Sequence, residues 1–302
     1  MTNSTFRRRL RNRSVFPLVN TLAMLVLMYV TLYPVLNTIA ISFNEGTDAV
    51  RGGIGLWPRQ FSLKSYQTIF SDEIIFNAFF ITVARTVIQT VLNVVLTSML
   101  AYALSRREYV LRKFITTAFV LTMYVNAGLI PNYLLIQRTL GLSKSFWVYI
   151  IPTMLSCFNM IITRTYILSL PDALVESARI DGAGDFYLFW RIIFPLCTPV
   201  LATVALFVAV GAWNSWFDTH LYNAGKVYLH TLQYLLKMKL ATTTNSANAA
   251  MTSADAAAST TLTTPVTIRA AITVVSAAPI VVIYPFLQRY FVVGLNVGSV
   301  KG

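Results

Sequence analysis

Residues 86–107 read TVIQTVLNVVLTSMLAYALSRR, twenty positions without Asp, Glu, Lys or Arg, closed by Arg106 and Arg107. A helix of roughly 20 apolar residues covers the hydrocarbon of a bilayer. Lipid offers the backbone no hydrogen-bond partners, so an apolar run of this length is expected to be a helix. Five more windows lack those four residue types: 14–44, 114–137, 145–163, 192–217 and 270–288. The whole chain agrees. Its 302 residues are 56% hydrophobic and 12% charged, against about 25% charged in soluble domains. The expected fold is all-α, a polytopic membrane protein with six transmembrane helices.

The net charge of +13 orients the chain and does not point to nucleic acid. With the N-terminus in the cytosol, 14 of the 24 Lys and Arg fall in inner segments totalling about 63 residues. The other 10 fall in outer segments totalling about 100 residues, a twofold difference in density. Arg7, Arg8, Arg9, Arg11 and Arg13 hold the start inside. The first apolar run is too long for a cleaved secretory signal. The layout is therefore a basic tail at 1–13, a first span at 14–44, an external loop at 45–73, a membrane domain at 74–290 and a cytosolic tail at 291–302. The membrane domain includes a cytosolic loop at 171–199 and an external loop at 218–269. The first external loop is expected to close with an amphipathic surface helix. Arg85, just before the second span, is expected to snorkel to the outer interface. The run 241–264, rich in Ala, Thr and Ser, has too little apolar content for a core of its own.

Several chemistries are disfavoured. No acidic residue falls in any window, whereas ion-coupled carriers place an ionisable group at membrane depth. A GxxxxGK[ST] phosphate loop is missing, as are a nucleophile elbow and an HExxH helix. Cys157 and Cys197 suggest no disulfide framework. His220 and His230 lack metal-pair spacing and are expected at the surface. No segment resembles an ion filter. A transport subunit driven by a separate ATPase fits these absences.

The cytosolic loop carries ESARIDGAGDFYLFWRIIFPLCTP at 176–199. Pro171 and Asp172 are expected to start a helix with Asp172 as its N-cap. Gly182 permits a sharp turn. Asp185 is expected to cap a second helix whose Phe186, Phe189, Trp190 and Ile193 follow helical spacing. Pro195 and Pro199 mark the passage into the fifth span. The reading is a helix–turn–helix hairpin with an aromatic stripe.

That block resembles the EAA loop of bacterial ABC-importer permeases, approximately EAA-x2-DGA-x5-F-x5-P-x3-P. Glu176, Ser177 and Ala178 match the first element, with Ser as a mild departure. Asp181, Gly182 and Ala183 match the second, and Phe189, Pro195 and Pro199 match the remainder. NAFFITVARTVIQTVLNVVLTSMLAYALSRR, GLIPNYLLIQRTLGL and VGAWNSWFD are similar to sugar-importer permeases of the MalG-like type. VVIYPFLQRYFVVGLNVGSVKG resembles the branch associated with complex oligosaccharides. The resemblance covers about residues 15–302 and is weakest over 240–264.

The resemblance implies a type I importer permease fold and a role in alternating access. Two permeases, a heterodimer here, form the path through the bacterial cytoplasmic membrane. Two cytosolic ATPase subunits hold ATP and Mg, so this chain needs no cofactor and is no enzyme. An extracellular solute-binding protein delivers the carbohydrate. Glu176 would contact the ATPase, Gly182 would make the turn, Ala178 and Ala183 would permit close approach, and Phe189 would hold the hairpin against the spans. The tail GLNVGSVKG would also reach the ATPase. Substrate-path candidates are Trp213, Asn214 and Trp216, with Asp218 beside them, and Tyr124, Asn126 and Asn159. An aromatic belt or packing role is the favoured reading of the two tryptophans over substrate contact. The substrate expected is an oligosaccharide, of the uronate-containing type. The rival within transport is another solute such as glycerol phosphate, for which the spans offer no basic cluster.

Overall fold

The computed structural model describes residues 3–125, 127–239, 241 and 264–299. Asn126 and nearly all of the Ala/Thr/Ser-rich run lie outside the described residues. Among those described, structure beyond helices and turns is confined to one isolated antiparallel bridge, Asn44 with Phe61. Among the described residues, three helices are long and apolar enough to cross a membrane, and up to six spans result when each bent helix pair is counted as one.

The described residues form two compact units. One comprises Met1–Ser71 with Lys239–Val275. Its α1, Asn3–Ser42, runs through Pro17 and Pro34, so the basic tail expected at 1–13 is helical from Asn3. Near the C-terminal end of α1, the Asn37 amide donates to the Ile54 and Gly55 carbonyls at 2.6 and 2.9 Å. Phe43 stacks on Phe61 with centroids 5.7 Å apart. Arg59 donates to Asp48 at 3.0 Å. The Asn44 amide and Arg59 hold the Asp48 carboxyl below its ordinary range. The surface helix expected at the close of this loop is Lys64–Phe70, which buries Ser65 and Ile69.

The other unit comprises Asp72–Met238 with Ser276–Gly302. At its centre stands α2, Glu73–Ser105, capped by the Asp72 carboxylate, which accepts from the Ile74 amide. Around it lie α3 (Arg112–Tyr124), α4 (Cys157–Leu168), α5 (Ala173–Ile180), α6 (Asp185–Leu196) and α7 (Thr198–Asn214). The last long helix, α8 (Pro265–Ser299), runs on into the segment expected as a C-terminal tail.

Three of the windows are bent rather than continuous. α3 meets Leu129–Thr139 at 118°, Phe146–Thr153 meets α4 at 46°, and α6 meets α7 at 79°. Each break has a local cause. Gly128 adopts φ +88, Ser156 caps α4 by accepting from the Asn159 amide, and Pro199 occupies the first turn of α7. Proline lacks the amide that would continue the preceding helix.

One face of α2 carries a buried polar column, Thr82, Arg85, Gln89, Asn93 and Thr97, at three- and four-residue intervals. The Asn93 amide donates to the Thr153 carbonyl at 3.0 Å. Its carbonyl accepts from Thr97 at 3.3 Å and from Asn159 at 3.4 Å. Such contacts join helices where lipid supplies no hydrophobic drive between them. Toward the other end of α2, Ala101, Tyr102 and Leu104 belong to the main apolar core with Met160, Ile167, Leu188, Phe189 and Ile193.

Candidate functional site

The segment 171–199 folds as the predicted hairpin, though its caps differ from expectation. Asp172 occupies the N-cap position with φ −60 and ψ −28, and its side chain makes no capping bond. Those angles are helical, so the carboxylate cannot swing back over the first turn as an extended cap residue does. Its carbonyl instead accepts from the Val175 and Glu176 amides at 2.9 and 3.1 Å. Glu176 in the first turn and Arg179 in the last complement the helix dipole.

The turn explains the spacing of the DGA element. Asp181 is the C-cap of α5, and Gly182 comes next with φ +83. The Gly182 amide donates to the Arg179 carbonyl at 3.0 Å and the Ala183 amide to the Ala178 carbonyl at 2.9 Å. This pair of bonds is the Schellman arrangement, which needs a left-handed residue after the cap and an apolar contact across the turn. Ala178 and Ala183 supply that contact within the core. Ala178 is therefore buried inside this chain, facing the spans.

Asp185 is also not a cap. Gly184 holds the N-cap position in extended conformation and Asp185 begins the helix. The Asp185 carboxylate accepts from Arg179 at 3.2 Å, and Arg179 also donates to Glu108 at 2.8 Å. These exposed bonds staple the two hairpin arms to the loop after α2. The Arg179 guanidinium holds the Glu108 carboxyl below its ordinary range.

The aromatic stripe divides into two faces. Phe189–Ile193 forms a π turn inside α6, which inserts an extra residue and rotates the rest of the helix relative to its first turn. Phe189 is 3% exposed and its ring lies 5.5 Å from Tyr102, 5.0 Å from Trp190 and 5.7 Å from Phe194. Phe186 and Tyr187, by contrast, point outward at 71% and 58% exposed, as does Ile180 at 86%. With Glu176, Ser177, Asp181 and Gly182 also exposed, the hairpin has one face packed on the spans and one free. Pro195 lies in the short helical turn before Cys197 and Pro199 in the first turn of α7, so the two prolines bracket the 79° bend.

The five path candidates among the described residues do not converge on one site. Trp213 is 6% exposed and its indole donates to the Ser276 carbonyl at 2.8 Å. The ring packs edge-on against Phe79 at 6.1 Å and borders an apolar cavity of about 40 Å³. Asn214 is exposed at the end of α7, and Trp216 lies under the Lys237 ammonium at 4.4 Å. Asn159 is buried in the contact with Asn93, Tyr124 is 84% exposed, and Asn126 lies outside the described residues. His230 is also not a surface residue. It is 6% exposed, with its ring nitrogen 3.0 Å from the Ala224 carbonyl.

Arg85 departs furthest from expectation. It does not snorkel outward. It is 1% exposed, paired with Asp218 and stacked on Tyr149 with its guanidinium carbon 4.7 Å from the ring centre. A charge beside lipid reaches for water, but here Asp218 and a ring face neutralise it inside the protein. The only signal was positional: Arg85 and Asp218 flank charge-free windows on opposite sides.

The chain is 34% identical to the polygalacturonan/rhamnogalacturonan transport system permease protein YtcP of Bacillus subtilis (strain 168), over 92% of this chain and 96% of that one. It is 33% identical to Protein LplC of the same organism, over 95% of each. Among solved structures, it superimposes on a chain of a bacterial ABC transporter involved in the import of the acidic polysaccharide alginate. That match has a TM-score of 0.83 at 28% identity, over 93% of this chain and 98% of that one. Residues 7–297 match the model of one transporter family. With its apolar helices, its polar-glued bundle and its EAA hairpin, the chain belongs to the binding-protein-dependent transport system inner membrane components.

Proposed function

We propose that this chain is the permease half of an ABC importer for uronate-containing oligosaccharides. The chain is a multi-pass transport subunit and not itself an enzyme. The observation that carries the reading is the two-faced hairpin, rigidly seated on α2 through Phe189 and Tyr102 and presenting Ile180, Phe186 and Tyr187 outward. Exposed apolar side chains of this kind, on a hairpin that also exposes Glu176 and Asp181, suit docking into a groove on another protein. In this reading the groove belongs to a cytosolic ATPase, two copies of which bind ATP and Mg outside this chain. A second permease completes the path, both termini are cytosolic, and an external binding protein delivers the solute.

The uronate class is supported by a relative named for polygalacturonan and rhamnogalacturonan transport and by a structural neighbour involved in alginate import. ATP-driven closure of the ATPases would move the hairpin and, through it, the spans, exposing the path first outside and then inside.

The test is the assembled complex in nanodiscs with its binding protein. Oligogalacturonides are expected to stimulate ATP hydrolysis, while neutral glucose oligomers and glycerol phosphate leave it at the basal rate. Stimulation by the neutral oligomers alone would sink the substrate class. Ile180→Asp tests the docking face: because the side chain is 86% exposed, the chain is expected to insert and fold normally. A charge facing an apolar groove costs several-fold or more in binding, about 1–3 kcal/mol. Pull-down of the ATPase by the Ile180→Asp permease at the wild-type yield would remove this face from the interface.

A further inference from the structure

The outer third of α2 is fastened to the external segment 215–235 by a series of separate bonds. The Asn77 amide donates to the Tyr228 carbonyl at 2.9 Å. The Leu232 amide donates to the Thr82 hydroxyl at 2.8 Å. Arg85 donates to the Asp218 carboxylate and, at 3.4 Å, to the Ser215 carbonyl. Tyr149, on whose ring Arg85 rests, donates from its hydroxyl to the Leu229 carbonyl at 2.7 Å. Within the segment, Thr219 and Thr231 bond at 3.0 Å and fold it back on itself. Arg85 thus lies at the junction of α2, the Tyr149 turn and the start of the external segment.

The opposite end of the same helix holds the hairpin. Tyr102 packs on Phe189 at 5.5 Å, and Glu108, in the loop after α2, accepts from Arg179 of the hairpin at 2.8 Å. Between these ends α2 is unbroken for 33 residues, about 50 Å at 1.5 Å per residue. Of the candidate spans that the hairpin and its neighbours belong to, α3, α4 and α7 meet bends of 118°, 46° and 79°. A bent helix absorbs displacement at its break, whereas a continuous one carries it end to end.

We infer that Arg85 is a positioning residue for coupling: through Asp218 it latches the external segment 215–235 to α2, and α2 transmits movement of that segment to the hairpin. The inference rests on the reading of the chain as an importer subunit fed by a binding protein. A buried guanidinium suits the task because removal of Asp218 leaves its charge uncompensated inside the protein. The planar fork also fixes direction as well as distance. Docking of a loaded binding protein on the outer face would shift the segment, and the latch would make α2 follow.

The test uses the assembled complex in nanodiscs and its binding protein loaded with trigalacturonate. Two quantities are read: ATP hydrolysis with and without the loaded protein, and amide hydrogen exchange at Leu232. Arg85→Met is expected to leave the basal ATPase rate unchanged, to lower the stimulation about tenfold, and to speed exchange at Leu232. Arg85→Lys, which keeps the charge, is expected to recover part of the stimulation. Tyr149→Phe removes only the hydroxyl and is expected to act in the same direction more weakly. If Arg85→Met fails to assemble, Asp218→Asn and Tyr149→Phe carry the test.

Wild-type stimulation in these variants overturns the latch, as does an equal fall of basal and stimulated rates, which is what a merely structural residue would give. Unchanged exchange at Leu232 in Arg85→Met, or in Asp218→Asn where that variant stands in for it, overturns the latch without reference to any binding protein. A wild-type complex that trigalacturonate fails to stimulate counts instead against the uronate reading, and the exchange result then decides the latch alone.

Discussion

Gly182→Val is expected to abolish solute uptake by the assembled transporter while leaving the chain inserted in the membrane. Gly182 sits at φ +83 with open space around the position of an added Cβ, so the penalty is one of backbone conformation and not of collision. An L-residue in the left-handed region costs about 1–2 kcal/mol, and a β-branched one more. Relief would come by flipping the turn, which breaks both the Gly182–Arg179 and the Ala183–Ala178 bonds. A cost of ~2 kcal/mol is a factor of about 30 in the ratio of native to flipped turn. The two arms would then lose their fixed angle, and ATPase closure would no longer move α6 with α5.

Uptake and ATP hydrolysis are measured on the same proteoliposomes, and hydrolysis without uptake is the expected result. Gly182→Asp is a milder form of the same test, since Asp tolerates left-handed backbone better than most residues. Gly184→Ala is the control: Gly184 has φ −75 and ψ 162, open to any residue, and no atom crowds it. Uptake at the wild-type rate in Gly182→Val would remove the turn from the coupling path.

Phe189→Ala is expected to detach the hairpin from the spans. The side chain is 3% exposed, and its neighbours come from α2 and from its own helix, Tyr102, Trp190 and Phe194. Truncation of a buried Phe to Ala costs about 3–5 kcal/mol through lost contacts and the cavity left behind. The effect is expected locally, because the spans keep their own polar contacts at Asn93 and Asn159. Thermal unfolding of the purified complex should shift downward, and amides of residues 173–196 should exchange faster than those of α2. Phe189→Leu should recover most of the loss, since it refills the site with apolar volume. Wild-type exchange across the hairpin in Phe189→Ala would show that the prolines and the Arg179 staple alone hold it.

The hairpin was legible in the sequence because its determinants are local. Gly182 declares a left-handed turn, and the apolar pattern around it declares which faces pack. The caps depart from expectation for a related reason: Asp172 holds its N-cap position without a side-chain bond, and Asp185 is not a cap. Asp172 and Asp185 are both good cap residues by type, but the chain enters α5 in helical conformation and Gly184 takes the extended place before Asp185. The free carboxylate of Asp185 then went to Arg179. The faces of the aromatic stripe could not be read from 3.6-residue spacing, since the π turn at Phe189–Ile193 shifts that register.

The sequence by itself determined the membrane class, the number of apolar windows and the hairpin with its family. Each of these depends on the composition of a contiguous stretch, which lipid and backbone hydrogen bonding translate directly into structure. Only the tertiary structure decided where the bends fall, that Trp213 packs and bonds to Ser276, and that Arg85 is buried against Asp218 and Tyr149. Arg85 and Asp218 are 133 residues apart, and each, taken alone at the edge of a span, is an ordinary interfacial charge. Their pairing, with Arg85 buried and Asp218 partly exposed, is a property of how α2 packs against the segment after α7, which no local pattern encodes.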